Sequence, residues 1–86
     1  PEQPEALYNL GFLCFERDEV DEAVRLFRDA LKSDPSFADA HFNLAMALEE
    51  RGEFSDAGPH WQRYLELEPE GAWSDIARKH LEQAPC

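Results

Sequence analysis

Apolar residues recur along this chain at helical spacing, in five runs separated by short polar or turn-forming breaks. The first run predicts a helix over Pro4 to Arg17, with a proline in the first turn, where its missing N–H costs nothing. Leu7, Leu10, Gly11 and Cys14 make one face of this helix, and Tyr8, Phe12 and Phe15 make a second stripe beside it. A helix apolar on two sides buries one against its partner helix and keeps the other for a further contact. Asp18-Glu19 breaks the pattern, and a second helix follows over Val20 to Lys32, with Val20, Ala23, Val24, Phe27, Ala30 and Leu31 on its packing face. Ser33-Asp34-Pro35 ends it, because the residue before a proline is pushed out of the helical region.

The next two runs repeat this plan. A third helix is expected over Ala38 to Arg51, packing through Ala40, Leu44, Ala45 and Leu48, with Phe42 and Met46 as its second stripe. Gly52 stops it, since glycine takes the left-handed conformation without strain. A fourth helix over Phe54 to Leu67 buries Ala57, Trp61, Tyr64 and Leu65 and carries Gly58-Pro59, which predicts a kink or an irregular first turn. A fifth, over Ala72 to Gln83, shows one stripe of Trp73, Ile76, Ala77, His80 and Leu81, as expected of a helix that closes the end of a stack.

The repetition is internal and has a period of thirty-four residues: Asn9-Leu10-Gly11 falls on Asn43-Leu44-Ala45, Glu16-Arg17 on Glu50-Arg51, Ala23 on Ala57, Phe27 on Trp61, and Pro35 on Pro69. Such a period marks a helical repeat array. The fold class is therefore all-α, an α-α superhelix of helix-turn-helix units with five helices and a slight curve. Residues 4–37 form the first unit, 38–69 the second, and 70–86 the capping helix and tail. Pro1 stands one period before Pro35, where a preceding unit would close, so further protein is expected upstream.

The signature positions resemble the tetratricopeptide repeat. In the first unit they are Leu7, Leu10-Gly11, Ala23, Phe27, Ala30 and Pro35; in the second, Leu44-Ala45, Gly52, Phe54, Ala57, Trp61 and Pro69. The departures are Cys14 and Leu48 for the first aromatic, Asp18 for the turn glycine, His41 for the large residue, and Tyr64 for the late alanine, where a bulky ring should spread adjacent helices. The resemblance implies a concave groove, lined by the first helix of each unit, that binds peptides or proteins. Carried over by position, the groove shows Glu5, Tyr8, Asn9, Phe12, Phe15 and Glu16, then Asp39, Phe42, Asn43, Met46, Glu49 and Glu50. The core of this expected site is Tyr8, Asn9, Phe12, Phe15, Phe42, Asn43, Met46 and Glu49, an apolar floor rimmed by carboxylates, and such an exposed patch marks an interaction surface. The Lys, Asn and Arg clamp of the subtype that holds chaperone C-termini is matched only at Asn43, which is read instead as a side-chain hydrogen bond to a neighbouring helix.

Charge narrows the partner. Nineteen acidic against eight basic residues leave a formal net charge of -11, which argues against nucleic acid and against an anionic membrane surface. The expected partner is a protein or peptide of basic or apolar character. No apolar run is long enough for a transmembrane helix. Two cysteines form no disulfide framework or metal cluster; Cys14 reads as a buried small hydrophobe and Cys86 as a mobile terminal thiol, which fits a reducing cytoplasm.

Catalysis has no visible basis. His41, His60 and His80 fall on three helices with no pair one turn apart and read as interhelix or surface histidines rather than metal ligands. No group orients Cys14 as a nucleophile, no glycine-rich phosphate loop is present, and the carboxylates show no acid/base pair. The expectation is a non-catalytic interaction module without cofactor or metal. Two alternatives stand beside it: homotypic assembly, because two units and a cap fall short of the three that usually make a stable stack, and a C-terminal scaffold piece of a larger bacterial regulator or enzyme.

Overall fold

The computed structural model describes residues 3–83; Pro1 and Cys86, on which two of the expectations rest, lie outside them. Five helices are present among the described residues: α1 (Pro4–Glu16), α2 (Val20–Ser33), α3 (Ala38–Glu50), α4 (Phe54–Leu67) and α5 (Ala72–Gln83). Each expected helix is found, with ends differing by one residue at most. The fold is an all-α helical repeat.

The α1–α2 and α3–α4 turns are built alike. Asp18 and Gly52, one period apart, both take positive φ, 64° and 78°. The next residue then donates its N–H back to the last turn of the helix, Glu19 to the Cys14 carbonyl and Glu53 to the Leu48 carbonyl, both at 2.8 Å. This closure satisfies carbonyls that a helix end leaves unpaired. Asp18 does what the turn glycine does, with the strain of a side chain in a left-handed backbone.

Rings packed against small residues form the core. Phe27 and Trp61 are almost wholly buried, and Ala23, Ala30, Ala40, Ala45, Ala47, Ala57 and Ala77 have no exposed surface. A Cβ on Gly11 would stand 2.8 Å from the Phe27 ring, so α1 and α2 meet backbone against ring there. Cys14 is buried, as expected of a small hydrophobe. Tyr64 is also buried, with its ring edge-on to Phe42 at a centroid distance of 5.1 Å. α4 includes Pro59 among its helical residues, on an exposed position.

Two packing assignments change. Leu10, expected on the inner face of α1, is 50% exposed, as is Leu13. The expected inner stripe of α5 is turned outward at Trp73 (63% exposed) and Ile76; Ala77 is buried as expected, His80 and Leu81 are half-buried, and Ser74 is buried where no apolar residue was expected. Ser74 belongs there because its hydroxyl donates to the Glu68 carbonyl, which removes the penalty of burying it. Apolar spacing shows where a stripe lies, whereas what covers it depends on the next element.

Replacing Asp18 by glycine should stabilise the protein by about 0.5–1 kcal/mol: the left-handed strain is relieved, partly offset by a more flexible unfolded chain. Urea unfolding followed by circular dichroism reads this directly.

Candidate protein-binding groove

α3 lies between α1 and α5, and these three helices line one cleft of about 330 Å3. α1 contributes Tyr8 and Phe12, α3 contributes Asp39, Phe42 and Asn43, and α5 contributes Trp73. The helical period places Tyr8 and Phe12 one turn apart, with ring centroids 6.4 Å apart. Phe42 is the hub of the cleft: it meets Trp61 at 4.9 Å, Tyr64 at 5.1 Å and Trp73 at 5.6 Å, each time with rings steeply inclined. Steeply inclined rings set the positive edge of one against the negative face of the other.

Asn43 ties the two units together across the floor. Its amide nitrogen donates to the Tyr8 hydroxyl at 3.0 Å and to the Asp39 carbonyl at 3.1 Å. This is the interhelix hydrogen bond expected of it. Burial, and then the Asp39 carboxylate, push the Tyr8 hydroxyl above its usual pKa, and the same two causes, followed by Glu68, raise Tyr64. Asp39 thus sets a negative field over the ring-lined cleft.

Four of the eight expected groove residues, Tyr8, Phe12, Phe42 and Asn43, come together in this cleft. Phe12 is 39% exposed, while Tyr8 and Phe42 are half-buried. Asn9 is exposed on α1; Phe15 and Met46 are half-buried against the core. Glu49 stands apart, beside a second cleft of about 200 Å3 with Phe54, His80 and Gln83. Its carboxylate accepts the Trp61 indole N–H at 2.9 Å and the His80 Nδ1–H at 2.7 Å, with the His80 ring stacked on Trp61 at 4.6 Å. These bonds give Glu49 an internal role, holding α3, α4 and α5 together. Trp73 is the cleft-lining residue that apolar spacing had assigned to packing. The repeat itself could have found it: Trp73 is one period beyond Asp39, and Ile76 one period beyond Phe42.

His41 and His60 form a pair between α3 and α4, Nδ1 to Nδ1 at 3.0 Å. His41 Nε2–H donates to the Pro35 carbonyl at 2.8 Å, so neutral His41 offers Nδ1 as an acceptor and His60 donates. Desolvation, reinforced by His41 and Arg28 and opposed by Asp56, lowers the His60 pKa. The equivalent positions in the first unit are Leu7 and Leu26, both buried. His80 instead bonds Glu49, as described. No group of three or more His, Cys, Asp or Glu that could hold a metal ion is found among the described residues. Burial, and then Glu19, push the Cys14 thiol above its usual value, which disfavours the thiolate a nucleophile needs.

Solved structures with a similar fold include the following two. A tetratricopeptide repeat domain protein from Salinibacter ruber matches with a TM-score of 0.82 at 19% identity, over 95% of this chain and 94% of that one. The crystal structure of MamA matches with a TM-score of 0.78 at 22% identity, over 93% of this chain. This chain spans about half the length of the MamA chain (55%). The family profile described as Tetratricopeptide repeat matches residues 15–72, and the chain belongs to that family. Tetratricopeptide repeats generally mediate protein–protein interaction and are typically non-catalytic. No helix among the described residues is long and apolar enough to cross a membrane.

The histidine pair predicts a pH dependence. Because the folded protein resists protonating His60 more than the unfolded chain does, stability is complete above the unfolded value of 6.5 and declines as pH falls below it. The double change His41→Leu/His60→Leu, which copies the first unit, should flatten this decline between about pH 7.5 and 5.5. Urea midpoints measured across that range are the check.

Proposed function

We propose that this chain is a non-catalytic protein-binding module whose partner lies in the concave cleft formed by α1, α3 and α5. One observation carries the reading: four aromatic side chains from three helices line one open cleft, and Phe12 and Trp73 stay exposed after the fold is complete. Aromatic side chains so placed bring large, rigid contact area to an interface at small cost in conformational entropy. In this reading residues 4–37 and 38–69 are the two repeats, residues 70–86 carry the capping helix, and α5 supplies the last wall of the groove. A reducing cytoplasm suits the buried thiol of Cys14.

Leu10 and Leu13 favour a second contact. They lie three residues apart on α1, each half exposed, and neither lines the cleft. A second copy of the chain, or a preceding helical unit of a longer protein, would cover them in the way that α3 covers α2.

Peptides selected from a random library should shift the amide resonances of α1, α3 and the start of α5. The Phe12→Ala/Trp73→Ala variant should weaken them by roughly 2 kcal/mol without changing helicity. Selected peptides that move only the exposed residues of α2 and α4 would overturn the groove. For the second contact, light scattering of the eluted protein should show dimer growing with concentration, and Leu10→Glu/Leu13→Glu should abolish it. A monomer throughout the micromolar range sinks self-assembly.

A further inference from the structure

Resting on the groove reading, and going beyond it, we infer that the cleft between Tyr8, Phe12, Phe42 and Trp73 is a cation-binding aromatic pocket that takes an arginine side chain of the partner peptide. Three features of the cleft lead to this chemistry. Its lining combines four rings with one carboxylate, Asp39, and one amide, Asn43, and none of these six residues is basic. Aromatic faces carry negative potential and attract cations held within about 6 Å, tryptophan most strongly. Trp73 is the ring with the most free surface, 63% exposed. Phe42 and Trp73 meet at 86°, which gives the pocket a corner rather than a flat slot.

The polar groups decide between a cation and an apolar side chain. Asp39 is exposed and has no ion-pair partner among the salt bridges of the described residues. An apolar side chain seated over it would strip water from a carboxylate and return no hydrogen bond. A cation returns both charge and donors. Asn43 has its amide nitrogen engaged with Tyr8 and the Asp39 carbonyl, which leaves its oxygen as the acceptor it can offer. The formal charge of -11 adds a long-range attraction for basic segments.

Arginine suits the pocket better than lysine. Its guanidinium is planar, stacks on an indole, is weakly hydrated and presents a fork of N–H donors to a carboxylate. The lysine ammonium is a compact, strongly hydrated point charge. A fully methylated ammonium would satisfy the rings and leave Asp39 and Asn43 without a donor.

The test is a titration of the ¹⁵N-labelled protein with acetyl-Ala-Arg-Ala-amide and with counterparts carrying citrulline, lysine, trimethyl-lysine or norleucine. Citrulline keeps the shape of arginine and removes its charge. The arginine peptide should bind in the millimolar range, shifting Tyr8, Asp39, Phe42, Asn43 and the Trp73 indole, and should weaken as salt is raised. Citrulline, Asp39→Asn and Trp73→Ala should each reduce the affinity by about tenfold, while Trp73→Phe keeps part of it. Both positions are exposed, and circular dichroism of the variants checks that the fold is retained. Equal binding of the citrulline or norleucine peptide in the cleft would overturn the cation pocket and leave the groove standing. Trimethyl-lysine binding more tightly than arginine would overturn the choice of guanidinium. Absence of binding by the arginine peptide would also overturn the inference, while the library selection judges the groove independently.

Discussion

The contact between the Phe27 ring and the backbone of α1 at Gly11 sets the geometry on which the rest of the stack depends. No side chain fits between them. That approach lets one helix of the hairpin lie close to the other, and the wholly buried alanines extend the same principle to the later crossings. A large ring against a small residue is a pattern that repeats after thirty-four positions, Gly11 and Phe27 in the first unit and Ala45 and Trp61 in the second, and each repetition adds another pair of helices. The groove follows from this. Once the inner faces are consumed by rings and alanines, the rings on the neighbouring stripe of α1 and α3 are only partly covered, Phe12 least of all.

The second unit modifies the first in pairs. Leu7 and Leu26 become His41 and His60, which hydrogen-bond each other; Phe15 and Phe27 become Glu49 and Trp61, and the new carboxylate accepts the new indole N–H. A buried polar group without a partner costs much of its hydration, so a polar residue can enter such a core only if its neighbour changes with it. Among the described residues no buried side-chain nitrogen or oxygen lacks a hydrogen bond. His80 completes the second pair from α5, and a side chain of the last helix thereby fixes the wall of the cleft that carries Trp73.

Helix positions were legible in the chain because two copies of one pattern confirm each other, and because Asp18, Gly52, Pro35 and Pro69 punctuate it at matching places. Part of the lining of the cleft was legible for the same reason: Tyr8, Phe12, Phe42 and Asn43 share the stripe beside the packing faces of α1 and α3. The assignments of Leu10, Trp73 and Ile76 to inner faces failed at the two ends of the stack. There an apolar stripe looks the same whether or not another helix lies against it. Glu49 was read as rim because a carboxylate on a helix is usually solvated, and only the rotation of α3 against α4 and α5 brings Trp61 and His80 to it.

The two tryptophans occupy opposite circumstances. Trp61 is sealed in the core, hydrogen-bonded to Glu49 and stacked on an imidazole, while Trp73 stands largely in solvent at the mouth of the cleft. The molecule therefore carries two optical reporters of the same chemical kind that answer different questions. The sealed indole reports mainly on the packing of the helices and rings around it. The outer one is open to anything that settles over it, so the two indoles weigh occupancy and unfolding differently.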